Sequence, residues 1–518
     1  MAMSVSQTPK SVGLDSTRAN VLFPRYLPAQ TWVWTLAVDE QADVTTAACL
    51  ASEQGHTKHA RAMAQRHAAL LQQQEGVRDA WVCDRGYIHV KFQSSWLLQQ
   101  ARGYYQYRLE DSMPLRWVLD YGANSAAQDV DWTAARGAVV GDTLTRLLQW
   151  LGHRVESEYT FNDTARSNEI LLQSIQQGVQ ALQGRQSGDA PPSVVFAVPA
   201  LYTYLAECAR KMEVRGDSAL LSFASDTMLA RHKEQFAHLR IGFDTVSRWS
   251  LYGTRTKDVL QELQLAGAVF EENGVRWFNA MKYGAPQNIG LIDSENRPTY
   301  FATLLTQHSI KLSRYNDRTV TLRDTRHGYL RDMQSYGIEA LMFDATVQPE
   351  WALHGDVGSP SRFRHSREYA SVEETLELYG PNAIRCAMLA HRRHRRLVLN
   401  PHALQTGWPH LRVAYQRASK AVPLIPSMED GDVEEHHAVL LHVLALKSVT
   451  RRCVDRLDPY YLYQHALRLA SLIRRMPLNA LKGASVTVLV LALDQLRQLF
   501  HMLGLDPSEP RISKPASV

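Results

Sequence analysis

The residues of this chain that could do chemistry fall into two kinds of group. Asp120, Asn124 and Ser125 sit in VLDYGANSA, and Asn162 and Asp163 close the run EYTFND. Polar residues just beyond short apolar runs are where a parallel sheet holds ligands, past the carboxyl ends of its strands. As plain turn residues they would only cap strand ends. The other group is cationic. HRRHRR, from His391, sets Arg392, Arg393, Arg395 and Arg396 with two histidines in six consecutive positions. Such a run can take phosphates, with a solvated face as the plainer alternative.

Other chemistries are disfavoured. There is no G-x-S-x-G elbow and no Walker loop. Histidines three apart, His56 with His59 and His391 with His394, could share a helix face, but no third ligand stands near either pair, so no metal is expected. The five cysteines are scattered, without a C-x-x-C pair, which argues against a zinc ribbon or a disulfide framework.

The elements that must position these groups can be read from periodicity. A helix is expected over His56 to Gln74, followed by a hairpin with Val82, Ile88, Val90 and Phe92 inward and a turn at Asp84-Arg85-Gly86. Trp117 to Leu119 read as a buried strand ending in the polar turn Asp120 to Ser125. Val139, Val140, Leu144, Leu147, Leu148 and Leu151 then mark one buried helix face, stopped by Gly152, and HRVESEYTF reads as the next strand. Strand, helix, strand is the unit of a doubly wound sheet. Short strands are expected at VRWF and PTYFATLL, a helix at SVEETLELYG ended by Gly380, a second at NAIRCAMLAH, and helix after helix beyond Asn400.

The 518 residues suffice for three or four domains, and a composition 45% hydrophobic and 21% charged is that of a folded chain. No apolar run reaches the roughly 18 residues of a membrane span. The amino-terminal MAMSVSQTPKSVGLDSTR lacks an apolar core, so a cytoplasmic location is expected. Net charge is +5, compatible with a nucleic-acid partner without requiring one.

Taken in order, these pieces resemble the arginyl-tRNA synthetases, a class I family. The residues that carry the likeness are VLDYGANSA, GDTLTRLLQWLGHRVESEYTFND, WSLYGTRTKDVLQELQLAGAVFEENGVRWF, ENRPTYFAT and YGPNAIRCAML. The resemblance implies a multidomain α/β plus all-α architecture. Residues 1–115 would form an amino-terminal α+β tRNA-contacting domain and 116–399 a Rossmann-type class I catalytic-like domain. Residues 400–505 would form a helical anticodon-binding-like bundle, and 506–518 a disordered tail.

The likeness breaks at both catalytic signatures. The family's His-x-Gly-His, which binds ATP phosphates, corresponds here to Asp131, Trp132, Thr133 and Ala134, so both histidines are replaced and a carboxylate faces the phosphate position. The lysine-rich second signature corresponds to Ser361, Arg362, Phe363, Arg364 and His365, without lysine. Tyr300 matches a tyrosine of the family's arginine site, but Leu304 stands where the family uses an aspartate. The turn before His327 and Gly328 reads RDTRHG, with Arg326 in it. Asp120 and Asn124 are candidates to hold an α-amino group.

Three functions follow. The first is a repurposed synthetase paralogue that binds tRNA, or uses arginyl-tRNA as acyl donor in small-peptide or natural-product biosynthesis or in regulation. No cofactor, and no ATP, would be expected, and a biosynthetic enzyme is a possible partner. The second is an enzyme independent of tRNA and ATP, acting on amino-acid-derived small molecules, with Asp131, Leu304 and Arg326 shaping the new site. The third is a divergent but active arginine-tRNA ligase.

Overall fold

The computed structural model describes residues 35–36, 42–46, 57–104, 114–163, 165–182, 199–211, 213, 216–314, 317–341, 349–358, 371–399, 401–422, 433–478 and 481–509. The second-signature positions Ser361, Arg362, Phe363, Arg364 and His365 lie outside these residues, as do His56, Cys49 and the tail beyond 509. The chain divides into two compact units, residues 1–113 with 414–449 and 468–497, and residues 114–413 with 450–467 and 498–518. The helices after 400 are therefore shared between the units.

In the first unit, strands β1 (Thr35–Leu36), β2 (Val44–Thr46), β3 (Val77–Val82) and β4 (Ile88–Phe92) form an antiparallel sheet in the order β1-β2-β4-β3. Helices α1 (Thr57–Gln72) and α2 (Ser94–Tyr104) accompany it. The expected hairpin forms: Ile88, Val90 and Phe92 are buried, and Gly86 takes φ +81° in the turn, a conformation that suits glycine.

The second unit is built on a parallel sheet. Its strands are β5 (Arg116–Asp120), β6 (Asn124–Ser125), β7 (Arg154–Asn162), β8 (Thr245–Arg248), β12 (Arg318–Asp324) and β13 (Pro349–His354), in the order β13-β12-β5-β7, with β6 and β8 both pairing β7. Every pairing is parallel. β5 is buried from Trp117 to Asp120 and β12 from Thr319 to Asp324, as expected of strands covered on both faces. A separate antiparallel sheet holds β9 (Val269–Glu272), β10 (Val275–Phe278) and β11 (Ile289–Ile292).

Helix α3 (Trp132–Trp150) joins β5 to β7, the strand-helix-strand unit expected from the leucine spacing. Two glycines let it lie close to its neighbours. A Cβ on Gly141 would come within 2.2 Å of the Tyr121 ring, and one on Gly137 within 2.5 Å of His354 Nε2. Helices α4 (Ala165–Leu182), α5 (Pro199–Lys211), α6 (Asp217–His238) and α7 (Trp249–Leu265) follow.

One expectation is corrected. PTYFATLL is not a strand but the start of helix α8 (Tyr300–Arg314). Thr299 Oγ1 accepts the Ala302 N–H at 3.2 Å and so caps the first turn, and the run continues into a buried face that spans Leu304, Gln307, His308 and Lys311. Eight residues were too short a window to distinguish a buried helix face from a strand. Helix α9 (Gly328–Ala340) follows β12, and β14 (Val357–Gly358) pairs with β15 (Leu397–Val398).

Val372–Leu389, α10, breaks at Gly380, where φ is +74° and Pro381 restarts the helix, so the two expected helices meet there. Pro401–Ala421 is α11; His437–Leu444, Leu446–Arg456, Tyr460–Arg475 and Ala484–Leu503 are α12 to α15. The first residues of the expected tail are held within the second unit: Asn382 Nδ2 donates to the Asp506 carbonyl at 2.7 Å, and Glu509 accepts from Arg240 at 2.6 Å.

Candidate functional site

The carboxyl ends of β5, β7 and β12 bring together a buried ionic quartet. Asp120 ends β5, Glu158 and Thr160 lie two apart and so face the same side of β7, and Arg323 lies near the end of β12. Helix α8 covers that face. The Arg323 guanidinium grips Asp120 with both arms, Nη1 to Oδ1 at 3.1 Å and Nη2 to Oδ2 at 2.8 Å. Lys311 Nζ reaches Asp120 Oδ2 at 2.5 Å and Glu158 Oε1 at 3.3 Å. Thr160 Oγ1 donates to Asp120 Oδ1 at 2.9 Å, and Gln307 Nε2 donates to Thr160 Oγ1 at 2.9 Å.

Two carboxylates and two cations make the quartet neutral, and all four side chains are buried. Burial alone would push the Asp120 carboxyl up, but Arg323 and then Lys311 outweigh it and hold it well below the usual carboxylate range. The quartet changes the expected role of Asp120. Its carboxylate is saturated by the chain's own cations and is not open to the α-amino group of a ligand.

Asn124 is likewise turned inward. Its Oδ1 accepts from Gln128 Nε2 at 2.7 Å and its Nδ2 donates to the Asp129 carbonyl at 3.1 Å, so it ties its own turn. Ser125 pairs with Asn162 in the short β6–β7 ladder, and Ser125 Oγ accepts the Ala127 N–H at 3.2 Å. Asp163 caps the start of α7, accepting the Ser250 N–H and the Ser250 hydroxyl, each at 2.8 Å. These residues thus stand at the sheet edge where expected, with structural tasks.

The first-signature positions have a local function too. Asp131 is the N-cap of α3, its Oδ1 accepting the Ala134 N–H at 2.7 Å. A carboxylate is favoured there by the helix dipole as well as by the hydrogen bond. The expectation that Asp131 acts by repelling phosphate is therefore amended. The helix needs an acceptor at this position, and the acceptor puts a negative charge at the very end where an anion would otherwise bind. Thr133 Oγ1 accepts the Val357 N–H at 3.2 Å, Trp132 is half-buried, and Ala134 is buried.

At the start of α8, Tyr300 is 39% exposed and packs on Trp249, with ring centroids 4.3 Å apart. Leu304 is buried with Trp249 and Leu330, against Tyr252 and Trp351, so the position is part of an apolar cluster. Arg326 and His327 both turn back onto Asp324: Arg326 Nε lies 3.0 Å from Oδ1 and His327 Nδ1 3.1 Å from Oδ2. Burial would raise the Asp324 carboxyl, but these two partners hold it well below the usual range.

The basic segment is less free than its sequence suggests. Arg392 Nε pairs with Asp458 Oδ2 at 2.7 Å and its guanidinium lies 4.6 Å from the Tyr461 ring centre. Arg393 donates to the Leu353 carbonyl and, at 3.2 Å, to that of Arg456. Arg395 and Arg396 remain exposed, the latter 3.4 Å from Asp356. Beneath them Arg136, fully buried, donates to the carbonyls of Arg395 at 2.6 Å, Gly355 at 2.9 Å and Arg392 at 3.2 Å, fixing the loop. Burial brings its guanidinium down to about 10, which still leaves it charged at neutral pH.

Sequence reading missed Lys311, Arg323, Glu158 and Arg136. Lone charged residues inside apolar periodic runs were the available signal, but nothing along the chain shows what they meet. No group of His, Cys, Asp and Glu suited to a metal ion occurs among the described residues.

No family model matches the chain. It aligns with the arginine–tRNA ligase of Heliobacterium modesticaldum at 22% identity over 503 residues, 87% of this chain and 88% of that protein. With the arginine–tRNA ligase of Lawsonia intracellularis it is 25% identical over 311 residues, and with that of Campylobacter lari 24% over 259. These two alignments span 54% and 49% of the relatives, about half their length. The arginyl-tRNA synthetase structure from Thermus thermophilus superposes with a TM-score of 0.70 at 15% identity, covering 92% of this chain and 95% of that one. The chain is an arginyl-tRNA synthetase homologue. The synthetase from Plasmodium falciparum gives the same TM-score, 0.70, at 13% identity over 94% of the homologue. Its fold is accordingly that of the arginyl-tRNA synthetases, with the parallel sheet, mixed α/β and helical carboxy-terminal parts expected from the sequence.

Proposed function

We propose that this homologue binds tRNA and does not activate arginine with ATP. The observation that carries the reading is the closed quartet: its two buried carboxylates, Asp120 and Glu158, are neutralised by Lys311 and Arg323. A guanidinium entering this site would be desolvated without a free counter-charge, which costs several kcal/mol. Leu304 adds an apolar wall. The N-terminus of α3, capped by the Asp131 carboxylate, supports the absence of an ATP phosphate site in the same way.

The tRNA half of the reading rests on the relatives, which are named as tRNA ligases, and on the exposed Arg395 and Arg396 held in place by Arg136. The protein would act in the cytoplasm, where tRNA is found. Arginine- and tRNA-dependent ATP–pyrophosphate exchange, run beside a genuine synthetase, tests the first half. No exchange is expected, and exchange above background would make the homologue a divergent ligase. Filter binding of tRNA at several salt concentrations tests the second half, because phosphate contacts give a steep salt slope. Absence of binding at low salt would exclude it. Incubation with arginyl-tRNA and loss of its ester bond would show that the bound tRNA also serves as acyl donor.

A further inference from the structure

The Arg323 guanidinium is surrounded by acceptors that come from three different strands. Nη1 donates to the Leu322 carbonyl at 2.9 Å, to Asp120 Oδ1 at 3.1 Å and to the Asp120 carbonyl at 3.4 Å. Nη2 donates to Asp120 Oδ2 at 2.8 Å and to Thr160 Oγ1 at 3.5 Å. The bidentate carboxylate and the flanking oxygens match the forked donors of a guanidinium, while the Lys311 ammonium occupies the second side of Asp120 Oδ2. Lys311, which shares Asp120 Oδ2, completes the charge balance by also meeting Glu158.

We infer that Arg323 is an internal ligand: its side chain fills a guanidinium cradle at the carboxyl ends of β5 and β12 and is the residue that closes this site to free arginine and other guanidinium compounds. The inference rests on the reading of the cleft as closed to arginine, and it names what closes it. Most of the cradle's acceptors belong to other strands, with Asp120 on β5 and Thr160 on β7. Truncating Arg323 therefore removes the occupant and leaves most of the cradle standing. The exposed Arg318, on the same strand, pairs with Glu350 at the other end of β12 and has no part in it.

Chemical rescue tests this on the full chain. Calorimetric titration of the unmodified protein with methylguanidinium or L-arginine, up to about 10 mM, is expected to show no saturable binding. Arg323→Ala is expected to bind methylguanidinium saturably and to gain roughly 2 °C in the unfolding midpoint of the second unit at ten times the dissociation constant. Ammonium chloride at equal ionic strength should give no such gain. The double variant Arg323→Ala with Asp120→Asn should lose the rescue.

Saturable methylguanidinium or arginine binding to the unmodified chain overturns the inference, and so does a folded Arg323→Ala protein that methylguanidinium leaves unchanged. Should Arg323→Ala fail to fold with and without methylguanidinium, the unmodified-chain titration decides. Pyrophosphate exchange by the unmodified protein would overturn both this inference and the proposed function. Guanidinium binding without exchange would overturn only the former.

Discussion

Replacing Lys311 by methionine is the sharpest perturbation of the buried quartet. The ammonium lies between Asp120 at 2.5 Å and Glu158 at 3.3 Å. Without it Asp120 keeps both arms of Arg323, whereas Glu158 keeps the Tyr252 hydroxyl at 3.4 Å and, among the described residues, no ion pair. Glu158 is thus left as a buried charge without a paired cation, the situation that costs about 3–5 kcal/mol when one partner of a buried pair is removed. Methionine fills much of the lysine stem's volume, so the loss measures charge rather than packing. Adding Glu158→Gln removes the stranded charge and should recover part of the loss, giving a coupling of about 1–3 kcal/mol in the double-mutant cycle.

The readout should be local. A chain with two compact units need not unfold in one step, so native-state hydrogen exchange at the amides of Val118 to Asp120 is the appropriate measure, supported by urea unfolding. A Lys311→Met loss below about 1 kcal/mol, or a cycle without coupling, would refute the claim that the quartet is a mutually dependent set.

Asp131→Ala should destabilise α3 by about 1 kcal/mol through the lost cap to Ala134, with Asp131→Asn losing less, as read by exchange at the first-turn amides. Equal losses for the two variants would count against a capping role. His232 is buried between the Gln128 carbonyl at 2.6 Å and the Tyr159 hydroxyl at 2.7 Å, and burial lowers it to about 4. A base depressed in the folded state costs stability as pH falls from about 6.5 towards 4, because only the unfolded chain takes up the proton there; the loss is on the order of 3 kcal/mol. His232→Gln should flatten the pH dependence of unfolding in that window, and an unchanged slope would contradict the assignment. If tRNA binds, Arg395→Ala with Arg396→Ala should weaken binding and reduce the log–log salt slope by about 1–2, while an unchanged slope would remove this loop from the contact.

The elements around the carboxyl ends of the strands were more legible in the sequence than the side-chain partners there. The strand-to-helix turn after Leu119, the leucine face of α3 and the next strand were legible because hydrophobic spacing at 3.6 and 2 residues is written directly along the chain. The Asp131 cap was legible in principle, since a carboxylate just before an apolar helix pattern is a start signal. PTYFATLL shows the limit of short windows: its threonine cap and buried face emerge only when the pattern is followed to Lys311.

The amino-acid sequence by itself determined most of the elements and their order, because these depend on local propensity and hydrophobic spacing. Only the tertiary structure decided which charges are spent. Asp120 meets Lys311 and Arg323 across 191 and 203 residues, and Asp458 reaches back 66 residues to Arg392. Charges separated so far along the chain acquire partners only when strands and helices from distant segments pack side by side. Burial then makes pairing obligatory, since a lone charge removed from water is too costly to persist.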